Sequence, residues 1–212
     1  KGYEFMVITD HSQSLRVANG LQVERLLRQN EEIKQLNKEY DEIDIYSGIE
    51  MDILPDGSLD YDDEILAQLD YVIAAIHQSF NQSEAEIMQR LENACHNPYV
   101  RHIAHPTGRI IGRRPGYEPN IEKLAQLAEE TNTILEINAN PKRLDLNAQT
   151  VRQYPNVKLT INTDAHHVDH LEFMKYGVAT AQKGFVTKDR VINTMSREAF
   201  KSFINDNKKL KK

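Results

Sequence analysis

Tyr71-Val72-Ile73-Ala74-Ala75-Ile76-His77 is a β-rich run that ends on a histidine, and this pattern decides the fold. It recurs on both sides. Upstream, Phe5-Met6-Val7-Ile8-Thr9 leads into Asp10-His11, and Ile43-Asp44-Ile45-Tyr46-Ser47-Gly48-Ile49 leads into Glu50. Downstream, His102-Ile103-Ala104 leads into His105. Val157-Lys158-Leu159-Thr160-Ile161-Asn162 leads, after Thr163, into Asp164-Ala165-His166. Only Ile134-Leu135-Glu136-Ile137-Asn138 ends in the weaker ligands Asn138-Ala139-Asn140. Between the runs, helices are predicted over residues 21–40 (Val23, Leu26, Leu27, Ile33, Leu36), 83–97 (Ile87, Leu91, Ala94) and 120–131 (Ile121, Leu124, Ala125, Ala128), whose apolar residues recur at roughly helical spacing. Strand–helix alternation argues for an α/β fold with a parallel sheet.

Five of the six runs thus deliver a His, Asp or Glu at the C-terminal end. In a parallel α/β barrel those ends converge on one mouth, where active sites sit. His11 to Glu50 is 39 residues, Glu50 to His77 is 27, His77 to His105 is 28, and His105 to Asp164 is 59, which spans two units. A step of roughly 30 residues is the length of a βα unit. Six units fit the 212 residues, whereas an eight-unit barrel takes about 250. The barrel is therefore smaller, or lacks a unit at its N-terminus, or both.

Imidazole and carboxylate ligands without thiolate suit Zn, Mn or Fe. His11, Glu50, His77, His105, Asp164 and His166 exceed what one four-coordinate ion uses, so two to three divalent ions are expected, with Glu50 free to bridge. His96, before Asn97-Pro98, reads as capping or exposed. His102 reads as supporting or structural, and His167 and His170 as rim residues. Ser12 and Ser14 lack a Gly-x-Ser-x-Gly elbow and read as loop hydrogen-bonding residues. Arg109, Arg113, Arg114 and Arg143 follow the fourth and fifth runs on the same face. Arginine suits bidentate phosphate contact, and the alternative is ion pairing with Glu118, Glu122 or Asp145.

Composition bounds the rest. Hydrophobic residues make up 40% and charged residues 27%, enough for a core and too ordered a mixture for a disordered chain. No apolar run approaches the ~20 residues of a membrane span, and no secretory leader opens the chain. One cysteine, Cys95, excludes an internal disulfide and a cysteine-cluster metal site. Lys plus Arg number 26 against 32 Asp plus Glu, a net charge of −6. That argues against wholesale nucleic-acid binding but leaves room for a local basic patch. A cytoplasmic, soluble protein with no membrane partner is expected. No Pro/Gly/Ser-rich linker divides it, so residues 1–212 are expected to form a single domain, with 205–212 a frayed basic tail.

Thr9-Asp10-His11-Ser12, Gly48-Ile49-Glu50, Ala75-Ile76-His77, His105-Pro106 and Thr163-Asp164-Ala165-His166 resemble successive motifs of the PHP (polymerase and histidinol phosphatase) superfamily. Asp52-Ile53-Leu54-Pro55-Asp56-Gly57-Ser58-Leu59-Asp60, His105-Pro106-Thr107-Gly108-Arg109 and Arg143-Leu144-Asp145-Leu146 are similar to the C-terminal PHP domain of bacterial family X DNA polymerases. The resemblance implies a distorted seven-stranded βα (TIM-like) barrel, here lacking its first strand, so that the domain is N-terminally truncated. It implies His11 and His166 on one ion, Glu50 bridging two, and His77 and His105 on one of these. Asp164 would share an ion with a His-x-His pair on the absent strand. The implied function is a metal-dependent phosphoesterase, a 3′–5′ exonuclease acting on DNA 3′ ends beside an upstream polymerase domain of the same chain. A small-molecule phosphatase of the histidinol-phosphate type, or a non-catalytic structural module, is the alternative. Without the first strand the fragment is expected to be weak or inactive, with unpaired edges at residues 4–9 and along the last strand.

Overall fold

In the computed structural model, which describes residues 1–210 and side chains as far as residue 205, each of the six runs is a strand. They are β1 (Phe5–Ile8), β2 (Asp44–Asp52), β3 (Tyr71–Ala75), β4 (Val100–Ile103), β5 (Ile134–Asn138) and β6 (Leu159–Asn162). All pair in parallel, in sequence order. The helices are α1 (Val23–Glu39), α2 (Asp63–Leu66), α3 (Glu84–His96), α4 (Ile121–Thr131), α5 (Ala148–Gln153), α6 (Met174–Lys183) and α7 (Arg197–Leu210). The sheet curls into a half-barrel, so that His11, after β1, and His166, after β6, bring their ring centroids within 5.9 Å. No described helix is long and apolar enough to cross a membrane.

The period of two along β3 divides the core in two. Val72, Ala74 and Ile76 face the outer core with Leu26, Leu91 and Leu124 of α1, α3 and α4. Tyr71, Ile73 and Ala75 face a separate inner core. Both faces of the strand are buried, as a parallel sheet with helices requires. The inner core is filled by α7. Phe200 stacks on Phe5 at 4.0 Å and meets Tyr46 edge-on at 5.3 Å, and Ile204 is buried beside it. The expected frayed tail over 205–212 falls on the end of α7 and on Lys211 and Lys212, which lie outside the described residues.

One sequence expectation about the edges needs correction. The outer edge of β6 is not open. Val191 forms a parallel bridge to Leu159, and the Asn193 side chain imitates a strand. Its Oδ1 accepts from Ile161 N (3.0 Å) and its Nδ2 donates to Ile161 O (2.7 Å). A side-chain amide carries the same donor–acceptor pair as a peptide, so it satisfies the edge that a seventh strand would otherwise take. Among the described residues, β1 pairs only with β2.

Arg90 of α3 ties the loops after β2 and β3 together. α3 starts in a capping box between Ser83 and Glu86, and Ile87, Leu91 and Ala94 bury one face. Arg90 is 1% exposed. It donates to Ile53 O after β2, and to Gln78 O (3.1 Å) and Gln82 Oε1 (2.7 Å) after β3. Arg90→Ala would strand three acceptors and leave a void. We expect it to cost about 2–4 kcal/mol, a Tm fall of roughly 4–16 °C in thermal unfolding. A loss under about 1 kcal/mol would mean that water satisfies these acceptors and that Arg90 does not organise the loops.

Candidate metal centre

Glu50 lies inside β2, two residues before its end, rather than past it as the sequence pattern suggested. The β1–β2 pairing continues beyond β1 itself. Glu50 N donates to Asp10 O (2.8 Å) and Ser12 N to Glu50 O (3.1 Å), which sets His11 beside Glu50. His77 follows β3, its N–H donating to Asp52 Oδ1 (3.3 Å). His105 follows β4 in a left-handed conformation (φ 30°), its N–H donating to Glu136 Oε2 (2.7 Å). Asp164 turns the chain the same way after β6 (φ 50°).

Three strands thereby aim imidazoles at one carboxylate. His77 Nε2 and His105 Nε2 lie 3.1 and 2.9 Å from Glu50 Oε1, and His11 Nδ1 lies 3.4 Å from Oε2. One ligand atom from each of His11, Glu50 and His77 falls within 4.8 Å of the others. Asp164 and His166 form a second pair, 3.5 Å apart, joined to the first by the His11–His166 ring contact. His166 is exposed at the rim, whereas His105 is buried. All six expected ligands thus open on one end of the sheet.

The electrostatics fit a cation site. Burial pushes the Glu50 carboxyl up, but hydrogen bonds with His105 and His77 outweigh it and hold it well below the usual carboxylate range. Burial pushes His77 down, and the Asp52 and Glu50 carboxylates beside it overcome that and raise it to about 9. A proton on His77 thus supplies positive charge that a metal would otherwise bring. His11 moves the other way, lowered chiefly by burial. The Nδ1 atom of His11, the nitrogen on its Glu50 side, is buried without a hydrogen-bond partner, a condition that metal ligation relieves. His77 and His105 turn Nε2 to Glu50, and His77 Nδ1 lies 3.4 Å from Asp52 Oδ1. An imidazole–carboxylate donor set of this kind fits a divalent ion.

Other polar residues build the surroundings. Sequence reasoning did not single out Asp52, Glu136 or Asn138 as site residues. Asp52 accepts from Ser14 Oγ (2.9 Å) and Gln78 Nε2 (2.9 Å), and its N–H donates to Ser12 Oγ (2.9 Å). Both serines are therefore loop hydrogen-bonding residues, as expected. Glu136 is buried in β5, where desolvation and then the Asp164 charge raise it to about 8. Asn138 donates to both Glu136 Oε2 and Asp164 Oδ2 (3.1 Å each). The signal for Glu136 was a lone carboxylate inside an otherwise apolar strand.

The arginines divide. Arg143 Nε lies 3.3 Å from Asp164 Oδ2. Arg109 instead donates to Arg143 O (2.8 Å) and Leu144 O, and Arg114 to Gly108 O. None of the anticipated pairs with Glu118, Glu122 or Asp145 forms among the described residues; Asp145 accepts from Thr107 and Gly108. Arg113 is exposed. His102 is buried against Thr160 Oγ1 (3.1 Å) and lowered to about 3 by desolvation, a structural residue. His96 is exposed at the end of α3 and contacts Glu92 O. His167 accepts from Asp169 N, and His170 stacks on Phe173 beyond the rim.

No protein-family model matches the chain. It is 54% identical to the DNA polymerase/3′-5′ exonuclease PolX of Bacillus subtilis over 209 residues, which are 98% of this chain and 37% of that protein. This match fits a PHP domain. The likeness is to the PHP domain of family X DNA polymerases. A probable phosphatase of Thermoanaerobacter is 28% identical over 207 residues, 92% of this chain and 79% of that protein. One of Acetivibrio thermocellus is 31% identical over 140 residues, 65% of this chain and 53% of that protein.

Proposed function

We propose that this chain is a metal-dependent phosphodiesterase that removes nucleotides from DNA 3′ ends. The observation that carries the reading is Glu50, a single buried carboxylate met by three imidazoles from three strands. His11 and His166 would hold one ion, Glu50 would bridge, His77 and His105 would complete a second site, and Asp164 would serve a third. Bound Mn, Zn or Fe would supply activated water and neutralise phosphoryl charge. The chain's own residues do the rest. Glu136 fixes the backbone of His105, Asn138 and Arg143 orient Asp164, and Arg113 and Arg143 face the phosphate, with Arg109 tying their two loops together. A seven-stranded barrel, whose further strand would pair with the open edge of β1, and one domain over 1–212 are part of this reading. The closeness of His11 and His166 supports it. A polymerase domain elsewhere in the same polypeptide is the proposed partner, as the name of the Bacillus subtilis relative suggests.

The relatives named as probable phosphatases favour one alternative, hydrolysis of small phosphomonoesters. Incubation of 3′-labelled DNA with the protein in Mn²⁺ separates the two. Released nucleotides, abolished by chelator, are the expected product. Free phosphate from small monoesters with intact DNA would decide for the alternative, and no turnover by metal-loaded protein would decide against both.

A further inference from the structure

Positive charge on this acidic chain gathers at one edge of the site. After β4 the backbone closes a tight turn, Ile110 N donating to Arg114 O and Arg114 N to Ile110 O, both at 2.8 Å. Gly112 at its tip has φ +76°, and a Cβ there would meet nothing within 4 Å. The turn is held on both flanks. Ile111 N donates to Lys142 O (2.7 Å), and Arg109 Nε donates to Arg143 O (2.8 Å). Arg114 lies 3.8 Å over the Phe80 ring, which stacks on Tyr117. The tip of the turn is therefore a rigid projection.

What the tip presents is unusual. Ile111 is 52% exposed, between the exposed cations Arg113 and Lys142. A lone exposed apolar residue needs no explanation, but here the backbone fixes it in the open. Among the described residues no ion pair includes Arg109, Arg113 or Arg114. Burial and then the neighbouring charge of Arg143 lower Arg114, and Asp164 pairs with Arg143 alone of these arginines. Such a patch draws a polyanion. A rigid apolar tip between phosphate-binding cations matches the wedge that unstacks bases.

We infer that the 110–114 turn is a strand-opening finger, with Ile111 wedged against the base next to the DNA 3′ terminus and Arg113 and Lys142 holding the flanking phosphates. This rests on the phosphodiesterase reading for its orientation. It supplies what that reading lacks, a way to part the terminal nucleotide from its neighbour before cleavage. An acidic peptide would use the cations but leave the wedge without a purpose.

The test uses a DNA strand carrying 2-aminopurine next to its 3′ nucleotide, with chelator present so that nothing is cut. Stacking quenches this base, so saturating wild-type protein should raise its fluorescence at least about twofold as the step opens. Ile111→Ala should bind within about threefold of wild type yet lose most of the rise. Arg113→Ala with Lys142→Ala should weaken binding by about tenfold or more and flatten the salt slope by roughly 1.4, about 0.7 for each single-strand phosphate no longer neutralised. Phe185→Ala, an exposed aromatic at the far end of α6, should change nothing. No binding by wild type, binding without a rise, a rise kept in Ile111→Ala, an unchanged salt slope in the double variant, or equal affinity for an acidic peptide would each overturn the finger. Hydrolysis of a small phosphodiester in Mn²⁺ tests the enzymatic reading separately. If it is absent while the Ile111-dependent rise persists, that reading fails and the finger stands as a binding element.

Discussion

Glu50→Gln is expected to remove most of the bound metal and to lower phosphoesterase turnover by roughly 100-fold or more, beyond the 10–100-fold typical of residues that only orient a ligand. The amide is nearly isosteric, so the loss would come from charge. Among the described residues Glu50 is the one carboxylate that His11, His77 and His105 all approach, and its depressed pKa reflects hydrogen bonds from His105 and His77 that favour the ionised form. A neutral amide cannot bridge two cations and would place an N–H₂ against nitrogen ligands. Metal analysis after dialysis, with turnover measured in parallel, checks this. Wild-type metal content in Glu50→Gln would show that the ions are held elsewhere.

The metal-free protein carries a linked pH signature. His77 is raised to about 9, above its unfolded value of 6.5. Between those values the folded state binds the extra proton. The stability it contributes is full below 6.5 and is lost as pH rises through 9. Metal must displace that proton, so affinity should climb over the same interval with proton release. Titrating metal at pH 6.5 and pH 8.5 with calorimetry in two buffers measures both effects. Equal affinity at the two pH values and no proton release would mean that His77 is not a ligand. In Glu50→Gln the pH dependence should shrink, because one of the two carboxylates holding the proton is gone.

The residues behind these expectations are legible in the amino-acid sequence. All six strands, and α1, α3 and α4, lie within a few residues of where the apolar pattern puts them, because each depends on near neighbours; β2 runs on to Asp52. The convergence of His11, Glu50, His77 and His105 is legible too, since parallel strands place their C-terminal ends together. The contacts that tune the site are not. Whether an arginine meets a carboxylate or a carbonyl is decided by where a loop returns, and Arg109 meets two carbonyls for that reason. Asn193 acting as a strand edge likewise has no local signature. Helix α7 is a different case. Phe200, Phe203 and Ile204 recur at i, i+3 and i+4, which is a helical signal, but nothing local says that the helix fills the concave face of the sheet.

His105→Ala should be far more damaging than His166→Ala, and burial gives the reason. His105 is 2% exposed and its Nε2 lies 2.9 Å from Glu50. Removing it leaves a cavity that cannot fill with water as readily as a rim site, and Glu50 loses its nearest imidazole. The substituted residue must also keep a left-handed φ of 30°, which alanine accepts poorly. His166 has a 61% exposed side chain, so water can take its place on an ion at little structural cost. We expect His105→Ala to lower turnover by roughly 100-fold or more and unfolding stability by about 1–3 kcal/mol, with His166→Ala costing roughly tenfold in turnover and under about 0.5 kcal/mol. His105→Asn separates backbone from ligand, because asparagine tolerates the left-handed region and should recover stability without recovering rate. Denaturant unfolding and Mn²⁺-dependent turnover on the three variants provide the comparison. If His166→Ala proves the more severe, the centre of the site lies at the rim with Asp164 and His166, and Glu50 with its three imidazoles is a structural cluster instead.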